Sequence, residues 1–406
     1  MSITTTAANM LDYAQIYKTF QLTVPTTFNF GTHVVDAWAA KAPDADALFW
    51  VGEDGLEQHL SYADLARRSD QAANALTSLG LSAGERVLVV LPRVPAWWEA
   101  LTGIFKAGLV ASPGTTLLTA RDLAYRIEAC EASAVIVSPE LMKRVDEALD
   151  ASGRSVRSRI VVGRADGQPG WLDWEAVVRA APSERAPRRT GCDDPAMLYF
   201  TSGTTAHPKM VLHTQASWGL GNEITGRFWL DLRPGDLHWN ISDTGWGKAA
   251  WSSYFGPLIC GATVFAQHST GKFAANDVLR YLDQYPITTL CAPPTVYRML
   301  VQEDLSGVHW PNLRHCVAAG EPLNPEVIEV WRQATGLTIR DGYGQTETVL
   351  LCANFPSLEV RPGSMGKPSP GVDLAVIDGD GNRLPPWPRW RHCRRPHASA
   401  TGRPVR

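Results

Sequence analysis

From Ser61 onward the chain alternates helical and strand periodicity with short glycine breaks, a rhythm that fits mostly parallel sheets covered by helices. Ser61 with Asp64 reads as a helix start, Leu65, Ala72, Leu76 and Leu79 fall on one face, and Gly80 stops the helix before an apolar run at 87–91. The cycle repeats with a helix at 96–106, a strand at 109–111, a helix from Thr119 to near Cys130, and buried strands at 134–137 and 160–162. Residues 181–194 carry Pro182, Pro187 and Gly191 and read as a surface crossing between two similar halves. Beyond it, strands are expected at 238–241, 262–265, 288–292, 316–319 and 337–340, with helices such as 276–284 and 325–333 between them. The expected fold class is therefore α/β. Two similar subdomains, 1–186 and 187–360, each hold a mostly parallel sheet flanked by helices. A partial β subdomain at 361–386 and a basic tail at 387–406 follow.

A chain of 406 residues with 45% hydrophobic content has enough apolar material for several cores. Its net charge of −3 supplies no broad basic surface, so nucleic acid is not an expected partner and any anion site must be local. The seven cysteines are scattered without a CxxC pair, which argues against a disulfide framework or structural zinc and fits a reducing compartment. No basic segment followed by an apolar run opens the chain, and no apolar stretch of about 18 residues occurs, so a cytoplasmic protein without a membrane span is expected.

The chemistry concentrates at the ends of expected strands, where ligands of such sheets sit. After the apolar run 197–200 come Thr201, Ser202, Gly203, Thr204, Thr205, Ala206, His207, Pro208 and Lys209. Small and hydroxylated residues turn tightly and present N–H groups and hydroxyls to an anion, with Lys209 adding charge. This is not a Walker loop, because Pro208 and Met210 stand where that pattern needs Gly and Ser or Thr. A second dense stretch, Asp341, Gly342, Tyr343, Gly344, Gln345, Thr346 and Glu347, reads as one short turn after a strand. Glu347 is the type of hard oxygen ligand that magnesium on phosphate takes. Gly320, Glu321 and Pro322 form a further turn, and Ser242-Asp243-Thr244-Gly245-Trp246-Gly247 places an indole among glycines, suited to one wall of an apolar slot. A core role for Trp246 is the alternative, since the chain has 15 tryptophans. His207 and His213 flank Lys209, but a carboxylate attacking phosphorus is already ionised and needs no general base, so both read as structural.

Together these motifs resemble the acyl-adenylate-forming enzymes, which include acyl-CoA synthetases, and in particular the medium-chain type. The 201–209 loop matches the family signature except at Ala206, where the family has Gly; a required positive φ there would cost on the order of 1 kcal/mol or more. The resemblance implies that the loop grips the β- and γ-phosphates of ATP, that Tyr343 and Gly320 to Pro322 hold adenine, and that Thr346 touches the α-phosphate or the acyl carboxylate. It further implies that Glu347 and Thr204 hold magnesium, that Trp246 and Gly245 line the acyl slot, and that Lys209, Thr346 and Glu347 are the catalytic set. The segment from Gly363 to Gly371 and the Asp-Gly-Asp-Gly turn at 378–381 resemble the start of the family's third subdomain.

The resemblance continues to about Pro386, and then six arginines and no acid fill 387–406. The family's ribose-binding Asp, its hinge and its mobile C-terminal α+β domain with the adenylating lysine are not written in this chain. Read one nucleotide out of frame, Trp387 to Arg394 can encode Gly-x-Gly-Gly-Asp-Ile-Ala-Val, close to the family's continuation, so the tail is expected to be a frameshift product. The expected function is ATP-dependent activation of a medium-chain carboxylic acid to acyl-AMP and then acyl-CoA, with ATP, Mg2+ and CoA as cofactors and co-substrate. Without the adenylating lysine, worth about 3–4 kcal/mol, the step is expected to be at least ~10²-fold slower. The alternatives are a non-catalytic ATP- or acyl-binding remnant and an adenylating enzyme with a different acyl acceptor. The sequence carries no signal for oligomeric state.

Overall fold

A computed structural model describes residues 8–201, 207–271 and 273–384. Its described strands, in chain order, are β1 (Asp46–Val51), β2 (Glu57–Ser61), β3 (Arg86–Val90), β4 (Val110–Pro113), β5 (Ala132–Val137), β6 (Ser158–Val161), β7 (Trp171–Asp173) and β8 (Pro195–Thr201). They continue with β9 (Lys209–Thr214), β10 (Leu237–Asn240), β11 (Thr263–Gln267), β12 (Thr289–Ala292), β13 (His315–Ala319), β14 (Ile339–Gly344), β15 (Leu350–Ala353) and β16 (Lys367–Pro368). They form two sheets, ordered β7-β6-β5-β3-β4-β8-β9 and β16-β15-β14-β13-β12-β10-β11-β1-β2. Pairing is parallel except for β8–β9, β1–β2, β14–β15 and β15–β16, all at or next to a sheet edge. This is the expected α/β architecture.

The sheets do not follow the sequence division at 186/187. β1 and β2, from the first stretch, pair into the second sheet through Leu48 and Val264, while β8 and β9, from beyond the crossing, complete the first sheet. Likewise β16, past residue 360, hydrogen-bonds to β15 of the second sheet through the Cys352–Pro368 pair.

Local rules explain the helices. Ser61 and Asp64 form a reciprocal capping box at the start of Tyr62–Ser78, and Thr119 and Asp122 do the same for Ala120–Ala129. The helix Pro95–Lys106 is buried over nearly its whole length, as a helix apolar on all sides must be. It lies in a core that takes Val87, Val89 and Ala111 from the first sheet and Ala47, Leu48, Val264 and Ala266 from the second. At its end the ammonium of Lys106 is paired with Asp36 at 2.6 Å and Asp70 at 3.1 Å, which compensates its burial.

The chain divides into a large unit ending at Gly371 and a small one, Val372–Arg406. Within the small unit, described as far as residue 384, Ile377 and Arg383 form an antiparallel bridge around the expected turn, and the Asp378 carboxylate accepts from the amides of Asp380 and Asn382. The tail at 387–406 lies outside the described residues. Among the described residues no helix is long and apolar enough to cross a membrane, and the described cysteines are all free.

Candidate active site

The phosphate-loop sequence closes a hairpin. β8 and β9 run antiparallel, with Thr201 opposite Lys209 as their last pair, so the loop returns as a strand rather than entering a helix. Met210 to Thr214 include the β-branched Val211 and Thr214 and favour β structure. Ser202, Gly203, Thr204, Thr205 and Ala206 lie outside the described residues. At the loop's far side the Pro208 carbonyl accepts from the Tyr125 hydroxyl at 2.9 Å, and His207 stacks on the Tyr125 ring at 4.9 Å. Lys209 is exposed and forms no ion pair among the described residues.

The stretch 341–347 is not one turn. Asp341 to Gly344 belong to β14, where Ala318 pairs with Asp341 and Ala319 with Gly342, and Tyr343 lies opposite Cys352 of β15. The two glycines fit inside the strand because Gly342 continues the parallel ladder from β13 and Gly344 pairs with Leu350 of β15. The turn itself begins at Gln345 and is closed by the Thr348 amide donating to the Gln345 carbonyl at 3.0 Å. It leaves Thr346 half-buried and the Glu347 carboxylate exposed, with no hydrogen bond or ion pair to it among the described residues.

Adjacent strands bring Gly320 to Pro322, directly after β13, beside Tyr343 and Gly344 at the end of β14. The Glu321 carboxylate is already committed: it accepts from the Thr295 amide at 2.9 Å, from the Thr295 hydroxyl, and from Arg298 at 2.8 Å. Burial would raise its pKa, yet the Thr295 and Arg298 hydrogen bonds hold it below the usual carboxylate range. This turn therefore offers its backbone, rather than that carboxylate, to a ligand.

The tryptophan motif reaches both sheets. A Cβ on Gly245 would lie 2.0 Å from the Thr115 amide nitrogen, so only glycine permits this approach. Asp243 locks the bend, accepting from the Gly245 amide at 2.7 Å and the Thr115 hydroxyl at 3.1 Å. Trp246 is 67% exposed, which rules out the core role. A Cβ on Gly247 would be 3.6 Å from the Thr346 hydroxyl oxygen, so the motif meets the 345–349 turn.

Two polar residues complete the rim. Lys248 is half-buried and donates to the Ala319 carbonyl at 2.9 Å. Burial lowers its pKa, opposed by the nearby Cys291, Glu321 and Asp341. Asp341 is itself raised to about 6, chiefly by burial, with the Gly342 amide and Lys248 acting the other way. Sequence reasoning missed Lys248, since a lysine after Trp-Gly carries no recognisable spacing. His213 is buried, stacks on Trp218 at 4.1 Å and donates from Nε2 to the Thr346 carbonyl at 2.6 Å. Burial pulls its pKa down to about 4, so it is neutral near pH 7, in keeping with a structural residue.

The rim thus collects an exposed carboxylate, hydroxyls, backbone turns and an exposed indole, with the hairpin lysine on the strand that carries His213. Such a set can bind a phosphorylated nucleotide with a divalent cation beside an apolar group. Comparison with known proteins agrees. The chain is 43% identical over 389 residues to the human acyl-coenzyme A synthetase ACSM3, mitochondrial, covering 94% of this chain and 66% of that protein. Human ACSM4 is 44% identical over 369 residues, covering 89% and 63%. The chain therefore spans about two thirds of the length of these curated relatives. Among solved structures, a Brucella canis acyl-CoA synthetase superposes with a TM-score of 0.84 at 28% identity, covering 92% of this chain and 70% of that one. The anthranilate CoA ligase AuaEII in complex with anthranoyl-AMP gives 0.80 at 26% identity, covering 89% and 68%. The model of the AMP-binding enzyme family matches residues 35–389, and the chain belongs to that family.

Proposed function

We propose that the chain carries the nucleotide- and acid-binding machinery of an AMP-forming acid–CoA ligase acting on medium-chain carboxylic acids. The observation that carries this reading is the meeting of Gly247 with Thr346, which sets the exposed Trp246 beside the turn that bears Glu347. In this reading Gly320 to Pro322 and Tyr343 receive the adenine, the 201–209 hairpin loop and Lys209 receive the phosphates, and Trp246 with Gly245 flanks the acyl chain.

Glu347, free of other partners among the described residues, fits a magnesium ligand, and the cation would supply charge neutralisation on the phosphate oxygens. The protein's own residues do the rest. Thr346 orients the acid carboxylate toward the α-phosphorus, Lys209 steadies the departing pyrophosphate, and the carboxylate oxygen attacks to give acyl-AMP. CoA thiol attack on the acyl carbon then releases AMP and gives the thioester. Residence in the cytoplasm belongs to the same proposal and rests on the scattered free cysteines.

Calorimetry with MgATP, alone and after addition of octanoate, tests the reading, together with mass-spectrometric detection of octanoyl-AMP. The expected result is magnesium-dependent ATP binding that tightens the subsequent binding of octanoate. Equal affinity for ATP and GTP, or no binding of either, would overturn it.

A further inference from the structure

We propose that His213 is a positioning residue that holds the Thr346–Glu347 turn in register with the phosphate hairpin; this rests on the nucleotide-binding reading above. β9 leaves the loop at Lys209, and residues four apart on a strand share a face, roughly 13 Å apart. One end of the same strand thus bears the lysine that faces phosphate, while the other grips the turn that carries the metal-binding carboxylate.

The grip is twofold. The imidazole Nε2–H donates to the Thr346 carbonyl at 2.6 Å, which fixes the tautomer, because a carbonyl accepts and cannot donate. The Trp218 indole N–H donates to the Thr348 carbonyl at 2.8 Å. The two rings stack at 4.1 Å and 26°, so each donor is held rigidly by the other's face. Nδ1 of His213 faces the Ser217 hydroxyl at 3.3 Å. The turn is thus tied at alternate carbonyls, which leaves the side chains of Thr346 and Glu347 for a ligand. The tie also spans the two sheets, since β9 edges the first and β14 belongs to the second. No phosphate or acyl group need touch His213 for it to set where Glu347 stands relative to Lys209.

His213→Phe keeps a flat ring on Trp218 and removes the donor, whereas His213→Gln restores an N–H at nearly the Nε2 position. Three readouts separate positioning from a general structural role: thermal unfolding, amide hydrogen exchange at 345–349 without ligand, and calorimetric affinity for ATP with and without magnesium. His213→Phe is expected to accelerate exchange at 345–349 at least tenfold while exchange in β3 and β5 stays unchanged. It is also expected to weaken MgATP at least fivefold and metal-free ATP less than twofold, and His213→Gln returns both to within twofold of the parent. Trp218→Phe, which deletes the second donor and also thins the packing against Tyr199 and Trp251, gives the same pattern at smaller amplitude and keeps the test open where His213→Phe unfolds. Unchanged exchange at 345–349, equal weakening with and without magnesium, or no rescue by His213→Gln overturns the proposal. Should the parent chain bind no MgATP, the nucleotide reading falls, while the exchange comparison still decides whether His213 orders the turn.

Discussion

The ammonium of Lys248 donates to the carbonyl of Ala319 across 2.9 Å, fastening the tryptophan motif to the last residue of β13. It also faces Asp341, whose carboxyl burial raises to about 6. Replacing Lys248 by Met removes both the donor and the charge that favours ionised Asp341. The stability loss should therefore be larger at pH 7.5, where Asp341 must ionise without its neighbour, than at pH 5.5, where it is largely protonated. Chemical denaturation at the two pH values measures this; an equal loss at both would remove the link between the two residues. At pH 7.5 the loss is expected to be about 1.5–3 kcal/mol, the usual range for hydrogen bonds to charged groups.

Glu347→Gln and Lys209→Ala change exposed side chains without ion-pair partners among the described residues. Each should leave thermal stability within about 0.5 kcal/mol of the parent. Affinity for MgATP should fall roughly tenfold or more, because each removes a charge aimed at phosphate or its counter-ion. Calorimetry beside a melting curve checks this, and a large drop in melting temperature with unchanged nucleotide affinity would contradict the assigned roles.

Burial lowers the pKa of His268 and, furthest, of three other histidines: His213 to about 4, and His238 and His315 to about 3. Their folded values lie below the ordinary 6.5, so the unfolded chain binds more protons as pH falls. Stability present above pH 6.5 is therefore lost on acidification toward pH 4 and 3. Each histidine contributes a slope approaching about 1.4 kcal/mol per pH unit. Asp341, with its folded value raised, contributes the opposite slope between about pH 6 and 4, which offsets one of the three. Urea titrations at pH 7, 6 and 5 should show a net fall, with a smaller fall in His238→Phe; a flat profile would count against neutral burial.

Gly245→Ala sets a methyl 2.0 Å from the Thr115 amide nitrogen, where backbone rather than a flexible side chain must yield. A loss of about 1–3 kcal/mol is expected from such overpacking. Because the bend carries Trp246, octanoate affinity should fall as well. Trp246→Ala, at a site 67% exposed, should cost little stability and reduce octanoate affinity alone. Differential scanning calorimetry and octanoate titration of both variants separate the two effects.

Much of this arrangement is legible in the letters, for identifiable reasons. Parallel strands such as 134–137 and 316–319 announce themselves because both faces are buried and their apolar runs are continuous. The capping pairs at Ser61 and Thr119 mark helix starts to the residue. The edge strands are harder to read. β2 is mostly exposed and polar, and β9 exposes Met210 and Leu212, so neither shows the alternation of a half-buried strand. Gly342 and Gly344 suggested a turn where neighbouring strands impose a ladder. Lys248 and His213 acquire their roles only when Ala319 and Thr346, distant in sequence, arrive beside them.

The exchange of edge strands makes the two parts of the chain mutually dependent during synthesis. The Asp46 carbonyl accepts from the Thr263 hydroxyl, 217 residues further on. At ~5–20 residues per second, β1 must wait on the order of 10–40 s for the strand it docks against. Over that interval the edge of β1 that will pair with Val264 to Gln267 lacks its neighbour, so the growing chain carries an open strand edge that the finished sheet does not.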